Sequence, residues 1–118
     1  MKLLLAPLLV SAMCSQAFGA DPKAVSGAGG TTCAGYAKNY QAGPQANTSL
    51  DMAWTQGFMS ALNATNAASR DHGFRDLDYI GLEMQEQNLR EYCLQHPLAN
   101  FMDAAMHLYT SLPLVRLK

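Results

Sequence analysis

The chain has 118 residues, a formal charge of -1 and 49% hydrophobic residues, which bounds it to one domain. That balance argues against nucleic-acid binding, which needs a basic face to neutralise phosphates, and against an electrostatic role at a membrane surface.

Residues 1–20, MKLLLAPLLVSAMCSQAFGA, read as a secretory signal. Lys2 gives the positive start, Leu3 to Met13 the apolar core, and Ala17 and Gly19 the small residues at a cleavage site after Gly19 or Ala20. The stretch is too short to span a bilayer as a mature helix. A lipoprotein signal wants Gly, Ala or Ser before the modified cysteine, and Met13 stands before Cys14, so Cys14 is expected to leave with the signal. Cys33 and Cys93 then remain. In an oxidising compartment two cysteines pair. The chain-entropy model gives such a long loop roughly 4 kcal/mol, a large share of a total stability of about 5–10 kcal/mol.

Residues 21–31, DPKAVSGAGGT, carry little to bury and are expected to form a flexible arm. The helical domain is expected over 32–118. Thr32 is placed to cap a first helix, CAGYAKNYQ, with Cys33, Tyr36, Ala37 and Tyr40 on one face. Gly43 and Pro44 break it. A second helix begins with a capping box from Thr48 to Asp51. Trp54, Phe58, Ala61 and Leu62 form its core stripe. The row Ala53, Gly57, Ser60, Ala64 predicts close approach by another helix, a reason to tolerate a glycine that costs about 1 kcal/mol in a helix interior. Asn-x-Ser/Thr sequons at Asn47 and Asn63 matter only in a eukaryotic secretory pathway.

ASRDHGFRDLD is a polar connection containing Gly73. Asp76 and Asp78 precede a third helix, where carboxylates complement the dipole. That helix is expected from Tyr79 to Gln95, with Leu82, Leu89, Tyr92 and Cys93 buried and Glu83, Glu86, Arg90 and Glu91 wet. Glu86 and Arg90 make an i, i+4 pair. Pro97 stops this helix and opens the first turn of the next. A fourth helix runs from Leu98 to Leu112 with Phe101, Ala104, Ala105, Leu108 and Leu112 as its stripe. Pro113 ends it, and Arg116 and Lys118 form a basic tail. No segment alternates long enough to predict a strand. The expected fold is all-α: a small orthogonal bundle of about four helices, stapled from the first to the third. Its expected core is Trp54, Gly57, Phe58, Leu62, Leu89, Tyr92, Pro97, Phe101 and Leu108.

Chemistry finds little footing. A nucleophilic Cys93 with His96 as base needs a thiolate, which pairing removes. His72, His96 and His107 show no zinc-binding spacing. Asp103 and His107 are spaced for a surface pair. Met102 and Met106 beside His107 are a conceivable copper set, but methionines at helical spacing ordinarily fill core. There is no phosphate loop, nucleophile elbow or dinucleotide fingerprint. The expectation is no catalysis, no cofactor and no metal. Met52, Met59 and Phe74 are apolar residues in excess of the core stripe and are the candidate protein contacts.

The arm ending in Cys33, the stretch WTQGFMSALN at Trp54 to Asn63, and YCLQHPL at Tyr92 to Leu98 before a closing amphipathic helix resemble the HdeA/HdeB-like small periplasmic proteins. The resemblance covers nearly the whole mature chain. It implies an all-α fold with one Cys33–Cys93 disulfide in a bacterial periplasm. In the named members it also implies acid-activated chaperoning, with dimers separating and exposing apolar surface. The chain is also similar to periplasmic immunity proteins against type VI secretion amidase effectors, sharing a glycine-bearing central helix and a His-Pro before the last helix. It lacks the cysteine that many of them carry after that helix. The expected partner is an unidentified protein or a second copy of the chain; the charge balance points to no nucleic acid, and no membrane is expected once the signal is cleaved.

Overall fold

The computed structural model describes residues 24–69 and 73–118, the side chains of 44–48 excepted. The signal expected over 1–20, with Cys14, and residues 21–23 of the arm lie outside the described residues. In chain order the elements are a 3-10 turn at Gly27–Gly30, helices α1 (Cys33–Ala42) and α2 (Pro44–Ala68), strand β1 (Gly73–Arg75), helices α3 (Leu82–Gln95) and α4 (Phe101–Ser111), and strand β2 (Leu114–Arg116). Four helices and a Cys33–Cys93 disulfide meet the all-α expectation. The two three-residue strands pair antiparallel and are an addition to it. A strand of that length is too short to display a period of two.

The helix ends show which sequence signals operated. Thr32 caps α1, its hydroxyl accepting from the Gly35 N–H at 3.1 Å. Gly43 ends α1, but Pro44 starts α2 at once instead of prolonging a break. Proline suits that first position because the N–H it lacks has no helical partner there. The chain is therefore already helical at Thr48, and the start expected at Thr48 to Asp51 is replaced by the one at Pro44. α3 begins at Leu82 after Gly81, so Asp76 and Asp78 lie too early to cap it. Asp76 instead accepts from the Asp78 N–H at 3.1 Å, an Asx turn. The buried Gln85 amide ties that turn to α3, donating to the Leu77 and Ile80 carbonyls at 2.8 and 2.9 Å and accepting from Gln56. Asp103 reaches back to the Asn100 N–H at 3.0 Å and starts α4 at Phe101. It is thus a cap and not the partner of His107. Pro97 stays outside α4 and exposed, contrary to its expected place in the core and in the first turn.

Phe101, Met59, Leu89, Leu108 and Cys33 are fully buried, with Tyr36, Ala104, Ala105, Tyr109 and Leu112 around them. The whole α4 stripe read from the sequence is buried. Trp54, Phe58, Leu62 and Tyr92 are half-buried against this core. Trp54 stacks on Phe58 with ring centroids 5.1 Å apart. Besides Pro97, further expectations fail on burial: Ala61 of the expected α2 stripe and Gly57 of the expected core are exposed. Leu82 is exposed at the overhanging start of α3. The row Ala53, Gly57, Ser60, Ala64 faces solvent, and a Cβ on Gly57 would meet nothing within 4 Å. Met52 and Met59 lie in the core and are withdrawn as surface contacts. Phe74 is half-buried in β1.

The segment expected to be a flexible arm is, from Gly27 to Gly30, a packed cover. Gly29 is buried beneath the Trp54 indole, whose N–H donates to the Ser26 carbonyl at 3.0 Å. Glycine carries this contact because any side chain would collide with the ring.

Candidate functional site

The start of α1 and the corner between α3 and α4 are joined by backbone as well as by sulfur. The Cys33 N–H donates to Ala99 O at 2.8 Å, Ala34 N–H to Pro97 O at 3.1 Å, and Phe101 N–H to Thr31 O at 2.8 Å. Each bond satisfies an N–H that a helix start leaves without an internal partner. The Cys33–Cys93 disulfide crosses the same junction, with Cα atoms 4.7 Å apart. Cys93 therefore has no thiol to ionise, and His96 serves no nucleophile. His96 and His107 pack instead on the Tyr92 ring, with centroids 4.4 and 5.0 Å away.

Over this staple lies a groove of about 220 Å³ between α1 and α3, lined by Tyr36, Ala37, Tyr40, Arg90, Cys93 and Leu94. Tyr36 forms its floor, its ring centroid 4.6 Å from that of Phe101. Arg90 spans one side: its guanidinium lies 4.6 Å over the Tyr40 ring, donates to the Tyr40 hydroxyl, and pairs with Glu86 at 3.4 Å. The i, i+4 pair read from the sequence is therefore present, but its arginine also serves α1. Burial pushes the Tyr36 phenol above its ordinary range, reinforced by the charges of Asp51 and Glu86 and opposed by Arg90. The groove presents neutral aromatic surface with one cation at its edge. Such a surface holds apolar or aromatic side chains and carries no nucleophile or acid–base pair.

Two large apolar side chains at and near the groove are strongly exposed among the described residues. Leu94 is 72% exposed and Leu98, at the corner, 94%. Leu50, Tyr79, Met84 and Met106 are also exposed. Among the described residues no three His, Cys, Asp or Glu side chains converge to hold a metal, and no helix is long and apolar enough to cross a membrane. His72 lies outside the described residues. Met102 is half-buried and Met106 exposed.

Sequence reasoning places Cys93, Tyr92 and the apolar face of Tyr36 and Tyr40 near this junction but misses Leu94 and Leu98 as exposed apolar side chains and the role of Tyr40 toward Arg90. Tyr40 was read as one more apolar residue, and its stacking on Arg90 joins residues 50 apart in the chain. The one available signal was Leu94 and Leu98 flanking a His-Pro turn, outside both helical stripes. Comparisons with protein-family models, with curated proteins and with solved structures found no match.

Proposed function

We propose that this chain is a non-catalytic protein-binding helical protein of the periplasm that acts as an acid-stress chaperone, as its resemblance to the HdeA/HdeB-like group implies. One observation carries the reading. The core is already filled by Phe101, Met59, Leu89 and Leu108, yet large apolar side chains at Leu50, Met84, Leu94 and Leu98 remain in water. We read the part of this surface around Leu94 and Leu98, beside the α1–α3 groove, as a contact region. At low pH the nine carboxylates lose their charge, which leaves only positive charge on His and on the Lys and Arg side chains, seven once Lys2 departs with the signal. Self-repulsion then opens the bundle or a dimer around its disulfide and adds interior apolar surface to what is already exposed. The test is light scattering of an aggregating client at about pH 2–3, with and without the oxidised protein. Suppression lost in a Leu94→Asp, Leu98→Asp double variant is expected. Aggregation unaffected by a stoichiometric excess of the parent protein overturns the reading.

A second reading has its own observation. Leu98 protrudes from a tight corner fixed by three backbone hydrogen bonds and a disulfide. A rigid loop with an apolar tip suits an immunity or inhibitor protein that plugs the active site of a toxin or wall hydrolase. A tight one-to-one complex with a single such enzyme at neutral pH, abolished by Leu98→Asp, favours it over chaperoning.

A further inference from the structure

We propose that the outer edge of β2 is a docking site for an extended acidic peptide segment of a partner protein, which adds to the β1–β2 sheet as a third strand. This site is separate from the α1–α3 groove and requires no acid opening.

The register pairs Gly73 with Arg116, Phe74 with Val115 and Arg75 with Leu114. One step beyond, the Asp76 N–H donates to Pro113 O at 3.0 Å. Backbone groups of an antiparallel strand alternate between its two sides. Pro113 O faces β1, so the N–H and C=O of Val115 also face β1, and those of Leu114 and Arg116 point away. The far side of β1 is already closed. There Asn63 takes the place of a neighbouring strand, accepting from the Arg75 N–H at 2.7 Å and donating to the Arg75 carbonyl at 2.8 Å. On the far side of β2 Leu114, Val115 and Arg116 are all exposed, with no such cover among the described residues. An open edge of this kind is a template for another strand.

Charge selects the occupant. Arg75, Leu114 and Arg116 share one face of the sheet because they belong to the same cross-strand pairs. Below that face is a cleft of about 330 Å³ lined by Asn66, Gly73, Arg75, Tyr109, Leu114 and Arg116. Arg75 is steadied by donating to Leu112 O at 2.8 Å, and Gly73 leaves room beside it. No Asp or Glu follows Asp103 in the chain, whereas Arg116 and Lys118 do. A strand on this edge turns alternate side chains toward the arginine face, where carboxylates complement Arg116 and Arg75. Its other side chains fall on the face of Val115 and Phe74, which takes apolar groups. A second copy fits less well, since pairing β2 with β2 brings two Arg116 side chains onto one face of a single ladder.

The probe is a capped, fluorescent peptide of about eight alternating Val and Glu residues, titrated at neutral pH into the oxidised full-length protein. Saturable binding is expected, with slowed amide exchange at Leu114 and Arg116. Leu114→Pro and Arg116→Glu should each weaken binding at least about tenfold. The first removes an outward N–H and leaves the β1–β2 ladder intact. N-methylation of the peptide N–H groups that face β2 should abolish binding without altering the protein. Equal binding by the matching Val-Lys peptide, by the N-methylated peptide or by a folded Leu114→Pro variant overturns the proposal. Absence of peptide binding together with a dimer that Leu114→Pro dissociates overturns it in favour of a second copy.

Discussion

A Cβ added to Gly29 would lie 2.1 Å from Cζ2 of Trp54, inside any allowed contact. The indole cannot easily yield, because its N–H is held by Ser26 O and its face rests on Phe58. Gly29→Ala is expected to cost about 1–3 kcal/mol, the range for an overpacked site, and to dequench or shift Trp54 fluorescence as the cover lifts. Gly57 is the opposite case. It sits in the exposed middle of α2, with open space where a Cβ would go. Gly57→Ala should raise stability by up to about 1 kcal/mol, through helix propensity and a less free unfolded chain. Urea denaturation of the two variants checks both signs, and a loss at Gly57 would reveal a close neighbour. The sequence invites the reverse assignment. Gly57 stands in a row of small residues, and such a row marks either a tight helix contact or a bare face in water. Gly29 stands in a stretch of glycines and alanines that looks unstructured, and its partner is 25 residues away.

Asn63 shows how an element borrows a neighbour. Its side chain exchanges two hydrogen bonds with the Arg75 backbone and also accepts from the Tyr109 hydroxyl at 3.0 Å, which in turn accepts from Asn66 at 2.8 Å. One amide thereby joins α2, β1 and α4. Asn63→Ala leaves the Arg75 N–H and C=O without these partners and should cost about 1–3 kcal/mol. Amide exchange at Arg75 should rise, while exchange in α1 and α3 stays as in the parent. Uniform loss of protection would mean that the sheet does not open independently. Element by element, helices that read their own pattern were legible. The α4 stripe and the Thr32 cap stand where periodicity and capping chemistry put them. Boundaries were legible only where a side chain acts locally. Pro44 reads equally as breaker or starter, and its role depended on whether α2 could begin immediately after Gly43. The strands were not legible, since three residues carry no period and Asn63, from a helix, completes their bonding. Of the groove, Cys93 and the α1 face of Tyr36, Ala37 and Tyr40 were legible, but not that Arg90 and Leu94 of α3 would close its other side.

At the scale of the whole molecule, the disulfide spans 60 residues and ties the α1 start to the α3 end. Replacing both cysteines with alanine should cost about 4 kcal/mol by loop entropy and lower Tm by roughly 15–30 °C for a domain of this size. A thiol assay on the native oxidised protein should find no reactive thiol at Cys33 or Cys93. Acid acts on the same frame in two opposed ways. In the proposed acid response, loss of charge from the carboxylates leaves net positive repulsion that would loosen the fold. Asp51 works against this trend, because burial raises its carboxyl above the ordinary value of 3.8. At neutral pH Asp51 is ionised in both states, and only the folded state bears the desolvation. As pH falls through the folded value, the folded chain takes up a proton before the unfolded chain does, so this site favours folding more as acidity rises. Below the unfolded value both states are protonated and the penalty is gone. Asp51→Asn should therefore stabilise the protein at pH 7, and the two urea midpoints should converge at about pH 3. A variant less stable than the parent at pH 7 would mean that the ionised carboxylate makes a favourable contact outweighing its burial. Acid opening that survives Asp51→Asn would place its driving force in the collective charge of Arg90, Arg75, Arg116 and their neighbours. Loss of one half-buried carboxylate cannot supply it, since protonating that group steadies the bundle.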